Sequence, residues 1–307
     1  MEITKEYISE WLKNLQDTIC KALENADGTA IFKEENWIRE EGGGGRSRVM
    51  ENGSVIEKGG VMFSAVSGKA PDFLFKENAH SETTAIKHQD GLTFFATGVS
   101  IVIHPVNPMV PIIHMNIRYF EMNNGVKWFG GGIDLTPHYI VDEDARFFHA
   151  SLKKVCDKHH AAYYPKFKTW ADDYFYINHR KETRGIGGIF FDRLNAGEHL
   201  NFEQNFEFWK EVGEAFAPVY TELMTKNKHK PFTPANKQWQ LLRRGRYVEF
   251  NLVYDKGTKF GLETNGRVES ILMSLPKEAG WIYDFKTQPD SKEEETLSKL
   301  KKGINWT

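Results

Sequence analysis

The sequence predicts a single α+β domain. Strand-like segments occur before and after a central helical block, and the connections between neighbouring strands have hairpin length. Strands and helices do not alternate regularly, as a doubly wound parallel sheet would require, so antiparallel strands packed with helices are favoured. We find neither a linker nor an internal repeat, and we therefore expect one domain over residues 1–307.

The first part of the chain is expected to form one helix followed by strands. Apolar residues recur at helical spacing from Ile3 to Ile19, which predicts an amphipathic N-terminal helix within residues 1–30. Short apolar segments separated by glycine predict strands and tight turns over residues 32–67. Residues 93–104 and 112–121 alternate like strands, and the three prolines between them predict a hairpin with a stiff connection.

The rest of the chain is expected to contain helices and a second strand-rich block. Helical spacing predicts three helices, over residues 142–160, 165–183 and 201–226. The pair Arg184-Gly185 is typical of a helix end, and residues 189–191 resume a strand pattern. Residues 238–274 are expected to form strands, with Asn265-Gly266 as a hairpin turn. The charged tail, residues 286–307, is expected to be a solvated helix or partly disordered.

Composition limits the classes of function. The 307 residues are 40% hydrophobic, and 40 basic residues against 42 acidic ones give no electrostatic case for binding nucleic acid or an anionic membrane. No apolar run has the ~20 residues of a transmembrane segment, and the first residues have no targeting pattern, so we expect a cytoplasmic location. Cys20 and Cys156 alone supply no disulfide framework, zinc ribbon or iron–sulfur cluster.

Motifs for nucleotide and nicotinamide cofactors are absent from the sequence, as are the serine elbow and the His-Glu-x-x-His metalloprotease pattern. The glycines at 42–45 precede Arg46 and Arg48, which resembles a phosphate-binding loop, but no helix start follows them. We interpret this stretch as a flexible loop, which would act as a lid if it binds a ligand.

Polar residues alternate along the second strand of the predicted hairpin. His114, Asn116 and Arg118 occupy every second position and therefore share one face. Ser100 and His104 share a face of the first strand, and the correct register would join the two sets. The arginine fork suits a carboxylate, and the ~13 Å from His114 to Arg118 suits a large flat ligand. The alternative is an ordinary solvent-exposed face of an antiparallel sheet.

Asp134 follows three consecutive glycines, Gly130-Gly131-Gly132, and one further residue. Residues without side chains let a ligand or another backbone approach closely, and they leave this carboxylate projecting at the end of the stretch. The alternative is an aspartate that caps a turn before Thr136-Pro137.

Histidines and arginines supply two further hypotheses. Four histidines on predicted strands and helices could bind a divalent metal ion: His104, His114, His149 and His179. Their spacing is not that of a specific metal motif, and structural or helix-end roles are the alternative. Several arginines could bind carboxylates: Arg243, Arg244, Arg246 and Arg267. Their alternative is pairing with nearby glutamates, namely Glu249, Glu263 and Glu269.

Five segments together resemble the oxygen-dependent coproporphyrinogen III oxidases of haem biosynthesis. They are Ile101–Pro105, His114–Phe120, Trp128–Pro137, Trp170–Gly188 and Arg243–Phe250. The resemblance extends from about residue 40 to residue 276. It implies a large antiparallel sheet flanked by helices on both faces, and a homodimer with residues 247–275 in its interface.

The resemblance also implies the reaction. Two propionate groups of coproporphyrinogen III are converted to vinyl groups, with O2 as the oxidant and protoporphyrinogen IX, CO2 and H2O2 as products. No cofactor is required, and a divalent metal ion is an open question. A non-catalytic tetrapyrrole-binding protein and a metal-dependent oxygenase remain as alternatives.

The family's functional residues map onto this sequence by motif. His114 corresponds to the proposed proton donor, and Asp134 and Arg118 to residues proposed to hold the substrate. Substrate contacts are implied at Ser100, Asn116, Ile117, Arg118, Asn265, Gly266 and Arg267. The four histidines named above match metal ligands of bacterial members. We hypothesise that Asp134 orients the pyrrole N–H groups, Arg118 binds a propionate and His114 moves the proton.

Overall fold

A seven-stranded antiparallel sheet forms the centre of the protein. The computed structural model describes residues 2–70, 91–195, 200–263 and 266–307. The strands are β1 (Lys33–Ile38), β2 (Gly43–Glu51), β3 (Ile56–Lys69), β4 (Thr93–Pro105), β5 (Ile112–Met122), β6 (Lys127–Thr136), β7 (Tyr176–Ile177), β8 (Glu182–Thr183) and β9 (Gly187–Leu194). The sheet has the order β1-β2-β3-β4-β5-β6-β9, and β7 and β8 form a separate pair. Every neighbouring pair is antiparallel, which confirms the predicted fold class.

Helices cover both faces of the sheet. They are α1 (Lys5–Asp27), α2 (Asp142–His159), α3 (Tyr163–Tyr174), α4 (Phe202–Asn227), α5 (Pro234–Val253), α6 (Lys256–Glu263), α7 (Val268–Leu272) and α8 (Lys292–Lys299). In the main core, helices α1, α2, α3 and α4 pack against one face of the sheet. On the other face, α5 brings Tyr247 against Val102 and Ile112. None of the helices in the described ranges is both long and apolar enough to span a membrane.

The core explains why the strands form here. On β5, Ile113, Met115 and Ile117 are fully buried and alternate with the polar residues of the other face. Burial of each such side chain contributes roughly 1.5–3 kcal/mol relative to exposure. A slip of one residue would expose all three, so the hydrophobic pattern fixes the register.

Helix α1 spans Lys5–Asp27 and lies within the predicted residues 1–30. The Thr4 hydroxyl caps it by accepting a hydrogen bond from the backbone N–H of Tyr7. Gly28 ends it with φ +84°, a conformation that costs little only without a β-carbon. Its buried stripe packs on the sheet and on α4, and includes Ile8, Leu12, Leu15, Ile19 and Leu23.

The predicted strand-rich block over residues 238–274 is wrong, because this region is helical. Helix α5 starts with a capping box in which the side chains of Thr233 and Asn236 bond each other's backbone N–H groups, and Pro234 occupies the first turn. This start signal lies just upstream of the segment whose aromatic and branched residues indicated strands. Gly266 lies between α6 and α7, so the predicted hairpin turn is wrong as well.

The second predicted helix ends early. Helix α3 stops at Tyr174, and residues 176–183 form the β7–β8 pair instead. Thr183 donates its backbone N–H to the carbonyl of Leu300, and Arg184 donates its own to Phe175. These long-range bonds replace a further helical turn, and His179 therefore lies between β7 and β8 rather than on a helix.

Two predicted irregular segments are ordered. Of the glycines at 42–45, the last three belong to β2, and a Cβ on Gly45 would lie 2.3 Å from the Trp37 ring. The expected flexible loop is therefore wrong, since the indole packs against this strand. The C-terminal tail contains α8, and Leu300 and Trp306 are buried in the main core. The tail is thus neither wholly solvated nor disordered.

Candidate functional site

The predicted hairpin places its polar residues on one face of the sheet. Strands β4 and β5 pair so that Ser100 lies opposite Asn116. Side chains alternate between faces, so one face carries Ser100, His114, Asn116 and Arg118. Strand β6 adds Asp134, directly opposite His114. We call the side that carries these five residues the polar face, and its predicted register is confirmed.

Ile117 belongs to the opposite face. Its side chain is fully buried in the core, and its backbone pairs with Val99 and Gly131 on either side. A side-chain contact between Ile117 and a ligand on the polar face is therefore ruled out by the register. The predicted substrate contact at this position is wrong for the side chain.

His114 and Asp134 form a hydrogen-bonded pair at the centre of the polar face. Nδ1 of His114 lies 2.7 Å from Oδ1 of Asp134. A carboxylate only accepts hydrogen bonds, so Nδ1 carries the proton and donates it. Nε2 is then the ring nitrogen left for proton exchange. The His114 side chain is 18% exposed, whereas that of Asp134 is 1% exposed.

Arg184 completes this group from outside the hairpin. Its Nη2 donates to both carboxylate oxygens of Asp134, at 2.8 and 2.9 Å. Its Nη1 donates to Oδ1 of Asn251 at 2.8 Å. Three aromatic rings surround the guanidinium at 4.4–4.7 Å, those of Phe175, Tyr247 and Phe250. These contacts fix the position of the arginine.

Arg184 and Asn251 were missed by sequence reasoning. Arg184 was interpreted as part of a helix end, and Asn251 as part of a strand. Both reach the polar face only through tertiary packing, from the segment before β9 and from α5. A single sequence carries no local signal for such an approach.

The surroundings of Asp134 keep it ionised. Burial opposes the charged form, but the charge of Arg184 and the hydrogen bonds from His114 and Arg184 outweigh this effect. The pKa of the Asp134 carboxyl is therefore lowered from its ordinary value. Both oxygens are engaged and the side chain is buried, so the structure does not support direct contact with pyrrole N–H groups. This differs from the hypothesis made from the sequence.

His104 lies at the end of the polar face under α5. Its Nε2 donates to the carbonyl of Ser274 at 2.8 Å, and its ring packs edge-on against Tyr247. Among the described residues, Nδ1 has no hydrogen-bond partner. Burial, assisted by the charge of Arg244, lowers the pKa of His104 to about 3. His104 is therefore a neutral, enclosed residue.

Arg118 lies across the open part of the polar face. Its Nη2 donates to Oδ1 of Asp192 at 2.9 Å, and its Nη1 to Oδ1 of Asn116 at 3.1 Å. The side chains of Arg118 and Asp192 are 37% and 31% exposed. Arg118 therefore remains accessible to a ligand, unlike Arg184.

Glycines leave parts of the polar face without side chains. Glycines of five described strands lie on it, and they include Gly45, Gly60, Gly98, Gly130, Gly132 and Gly188. A Cβ on Gly130 would lie 2.5 Å from Oδ1 of Asp192, and one on Gly60 would lie 2.0 Å from Sδ of Met273. The missing side chains let neighbouring groups lie flat against the sheet.

Of the predicted contacts in residues 265–267, Arg267 lies near the β2 side of the polar face. It donates to Ser47 on β2 and to Glu35 on β1. Ser47 is in the same cross-strand row as Asn116, three strands or ~14 Å away. Gly266 donates its backbone N–H to Gly261, and Asn265 lies outside the described residues.

The basic cluster on α5 is engaged internally. Arg243 pairs with Glu182, Arg244 with Glu57, and Arg246 with Glu249. All three arginines are buried. The hypothesis that they bind substrate carboxylates is therefore not supported, and the alternative of pairing with glutamates is confirmed for Arg246 and Glu249.

Comparison with known proteins decides the family. The model of the family described as coproporphyrinogen III oxidase matches residues 7–306. The chain belongs to the coproporphyrinogen III oxidase family. The chloroplastic oxygen-dependent coproporphyrinogen-III oxidase of Glycine max is 48% identical over 303 residues, which cover 96% of this chain and 77% of the relative. Two oxygen-dependent coproporphyrinogen-III oxidases of Prochlorococcus marinus, from strains MIT 9312 and AS9601, are 45% and 44% identical. Each match covers 99% of this chain and 93% of the relative.

The metal site implied by the resemblance to this oxidase family does not form within the described chain. His149 donates Nε2–H to the carbonyl of Ile186 and accepts from the Tyr164 hydroxyl, so both ring nitrogens are engaged. His179 bonds Glu249 and Tyr254 near the surface. Nowhere in the described ranges do three or more His, Cys, Asp or Glu side chains group closely enough to hold a metal ion. The four histidines thus do not fit one shared ion.

Proposed function

We propose that this member of the coproporphyrinogen oxidase family converts two propionates of coproporphyrinogen III to vinyl groups. Each step consumes one propionate, one O2 and one proton, and yields one vinyl group, one CO2 and one H2O2. The substrate supplies the two electrons that reduce O2. The electron-rich pyrrole supports direct attack by O2 once its N–H is polarised or deprotonated, so the proposal requires no separate redox group.

The observation that carries the proposal is the composition of the polar face. It combines a hydrogen-bonded histidine, His114, with an accessible arginine, Arg118, on the same face of one strand and four residues apart, at the scale of a tetrapyrrole. A small metabolite would not span the ~13 Å from His114 to Arg118. Membership of the family supports the same substrate.

Proton transfer is assigned to His114. Asp134 holds its Nδ1–H, which fixes the tautomer and leaves Nε2 to exchange a proton with the substrate. Arg184 in turn holds Asp134 as an anion. In this proposal Asp134 and Arg184 are positioning residues, and His114 is the catalytic residue.

Substrate carboxylates are assigned to Arg118, with Ser100 and Asn116 beside it on the polar face. A guanidinium binds a carboxylate through two parallel hydrogen bonds, which fixes both position and orientation. Arg267 is proposed to meet a second carboxylate on the β2 side. The substrate has four carboxylates at separate positions on its ring, which suits two arginines, Arg118 and Arg267, that lie apart on the polar face.

Incubation with coproporphyrinogen III in air and under nitrogen tests the proposed function. We expect protoporphyrinogen in air alone, detected as protoporphyrin fluorescence after oxidation, with one O2 consumed per CO2 released. A His114→Ala variant should lose most of this activity, since general acid–base groups typically contribute 10²–10⁴-fold. Binding of the substrate without product in air would favour a tetrapyrrole carrier and contradict the proposal.

A homodimer is proposed from an exposed apolar surface on α5–α7. Four side chains there are 41–50% exposed, those of Leu252, Val253, Leu262 and Val268. Exposed apolar side chains on consecutive helices are candidates for burial in an interface. They fall within the segment that the resemblance assigns to dimerisation.

Light scattering coupled to size exclusion tests this dimer. The protein should elute at twice its 35.4 kDa mass, and a Val253→Asp, Leu262→Asp double variant should shift it towards the monomer because charges would enter the interface. Ile38→Asp is the matched control, because Ile38 is 92% exposed on the edge strand β1, outside this surface. A monomeric wild-type protein at micromolar concentration would contradict the dimer.

We also propose a cytoplasmic location. Cys20 and Cys156 are unpaired and buried, which suits a reducing compartment.

A further inference from the structure

We propose that Asp192 is a place-holder carboxylate for Arg118. It occupies the guanidinium while the site is empty, and it exchanges with a substrate propionate on binding. This inference rests on the proposed function and adds a residue to which neither the sequence patterns nor the family resemblance assigned a role. It explains why the arginine best placed to bind substrate already has an acidic partner.

The arginine–carboxylate pairs formed by Arg184 and by Arg118 differ in exposure. Arg184 and Asp134 are 2% and 1% exposed, so breaking that pair would leave a buried charge without compensation. The Arg118–Asp192 pair is about one-third exposed on both sides. Exposed ion pairs contribute little net free energy because water screens them. The first pair is therefore fixed, and the second can exchange.

The contact between Arg118 and Asp192 is also geometrically incomplete. One oxygen, Oδ1 of Asp192, accepts from Nη2, while Nη1 donates to Asn116. A propionate that lies along the edge of the guanidinium can accept two parallel hydrogen bonds, which are stronger and more directional. A substrate carboxylate can thus displace Asp192 at small cost.

Gly130 keeps room for this exchange. A Cβ there would lie 2.5 Å from Oδ1 of Asp192 and 3.1 Å from Cζ and Nε of Arg118. Opposite Arg118 on the other neighbouring strand is Gly98. The guanidinium can therefore move across the sheet surface between its two partners without crossing a side chain.

The reaction itself gives the exchange a direction. Each decarboxylation removes one of the carboxylates that Arg118 can bind, and the resulting vinyl group cannot form an ion pair. Asp192 then pairs with the arginine again, so the guanidinium is not left without a counter-charge when the ring moves away. No covalent bond to Asp192 is formed or broken in this cycle.

Asp192→Asn tests the place-holder role, because the direction of the change in KM separates a residue that competes with the substrate from one that positions Arg118 for it. The amide keeps the shape and removes the charge that competes with the propionate. We expect the KM for coproporphyrinogen III to fall about 2- to 5-fold, the scale set by an exposed ion pair. The Kd for coproporphyrin III, the non-reacting oxidised ligand, should fall equally in a fluorescence titration. Asp157→Asn, which removes a similarly exposed partner of Lys153 on α2, should change neither value.

The opposite results would overturn the inference. A higher KM and Kd in Asp192→Asn would mean that Asp192 positions Arg118 for substrate, and unchanged values would mean that it has no part in binding. In an Arg118→Met background, Asp192→Asn should leave the Kd unchanged, because the competition no longer exists. If Asp192→Asn does not fold, Asp192→Ser serves for the same titrations. The coproporphyrin III titration needs no turnover. An inactive wild-type protein would therefore contradict the proposed function, while the titration would still test the place-holder role of Asp192.

Discussion

Replacing Asp134 with alanine should lower turnover by about 10²–10⁴-fold and destabilise the protein by about 3–5 kcal/mol. The variant loses the acceptor that holds Nδ1–H of His114. It also leaves the guanidinium of Arg184, 2% exposed, without its counter-charge. Steady-state kinetics with coproporphyrinogen III and urea unfolding would measure the two effects.

A second buried carboxylate separates the loss of activity from the loss of stability. Asp27 accepts hydrogen bonds from the backbone N–H groups of Val55 and Ile56, and it lies outside the polar face. Asp27→Ala should destabilise the fold while kcat of the folded protein stays near the wild-type value. A folded Asp134→Ala variant with wild-type turnover would refute the positioning role of Asp134.

Replacing Arg184 with methionine should have the second largest effect. Asp134 would then be buried with His114 as its remaining partner, and an uncompensated buried charge typically costs about 3–5 kcal/mol at neutral pH. The methionine keeps most of the volume between the aromatic rings, so the loss reports mainly on charge. Activity should fall as well, because a protonated Asp134 holds the Nδ1–H of His114 less well.

The pH dependence of stability identifies this cause. In the wild-type protein the pKa of Asp134 is lowered, so its contribution is complete above the unfolded value of ~3.9 and is lost as the pH falls through the folded value. Without Arg184, burial dominates and raises the pKa. Stability contributed by Asp134 should then fall as the pH rises above ~3.9, which is the reverse slope.

Urea unfolding between pH 3 and pH 8 would show the difference in slope. Arg246→Met is the control, because Glu249 also accepts hydrogen bonds from Arg180 and His179 and should keep a lowered pKa. Equal slopes for Arg184→Met and the wild-type protein would show that Arg184 does not set the ionisation of Asp134.

Local pattern was enough to predict the hairpin that carries the site. Alternation along β5 and the prolines before Ile112 specify strand, turn and face, and the pairing of Ser100 with Asn116 follows from the register. The same reasoning failed over residues 238–274. Aromatic and branched residues there belong to the buried side of α5. The capping box at Thr233 that starts the helix lies before residue 238, where the predicted strand block begins.

The composition of the site depends on tertiary structure that pattern cannot supply. Arg184 comes from the segment before β9 and Asn251 from α5, and they meet only because both pack over the sheet. Asp192 is an unremarkable strand residue until Arg118 is placed beside it. Ile117 was predicted as a substrate contact from the family motif, although the alternation of side chains along β5 puts it on the core face.

The glycines of the polar face set a rule for any attempt to change substrate range. A mutant library aimed at tetrapyrroles with different side chains would gain little at Gly98 or Gly188, where a Cβ would lie 2.6 Å from the backbone oxygen of Ile117 or 2.0 Å from that of Ile133. Diversity belongs instead at Ser100 and Asn116, whose side chains already stand above the sheet.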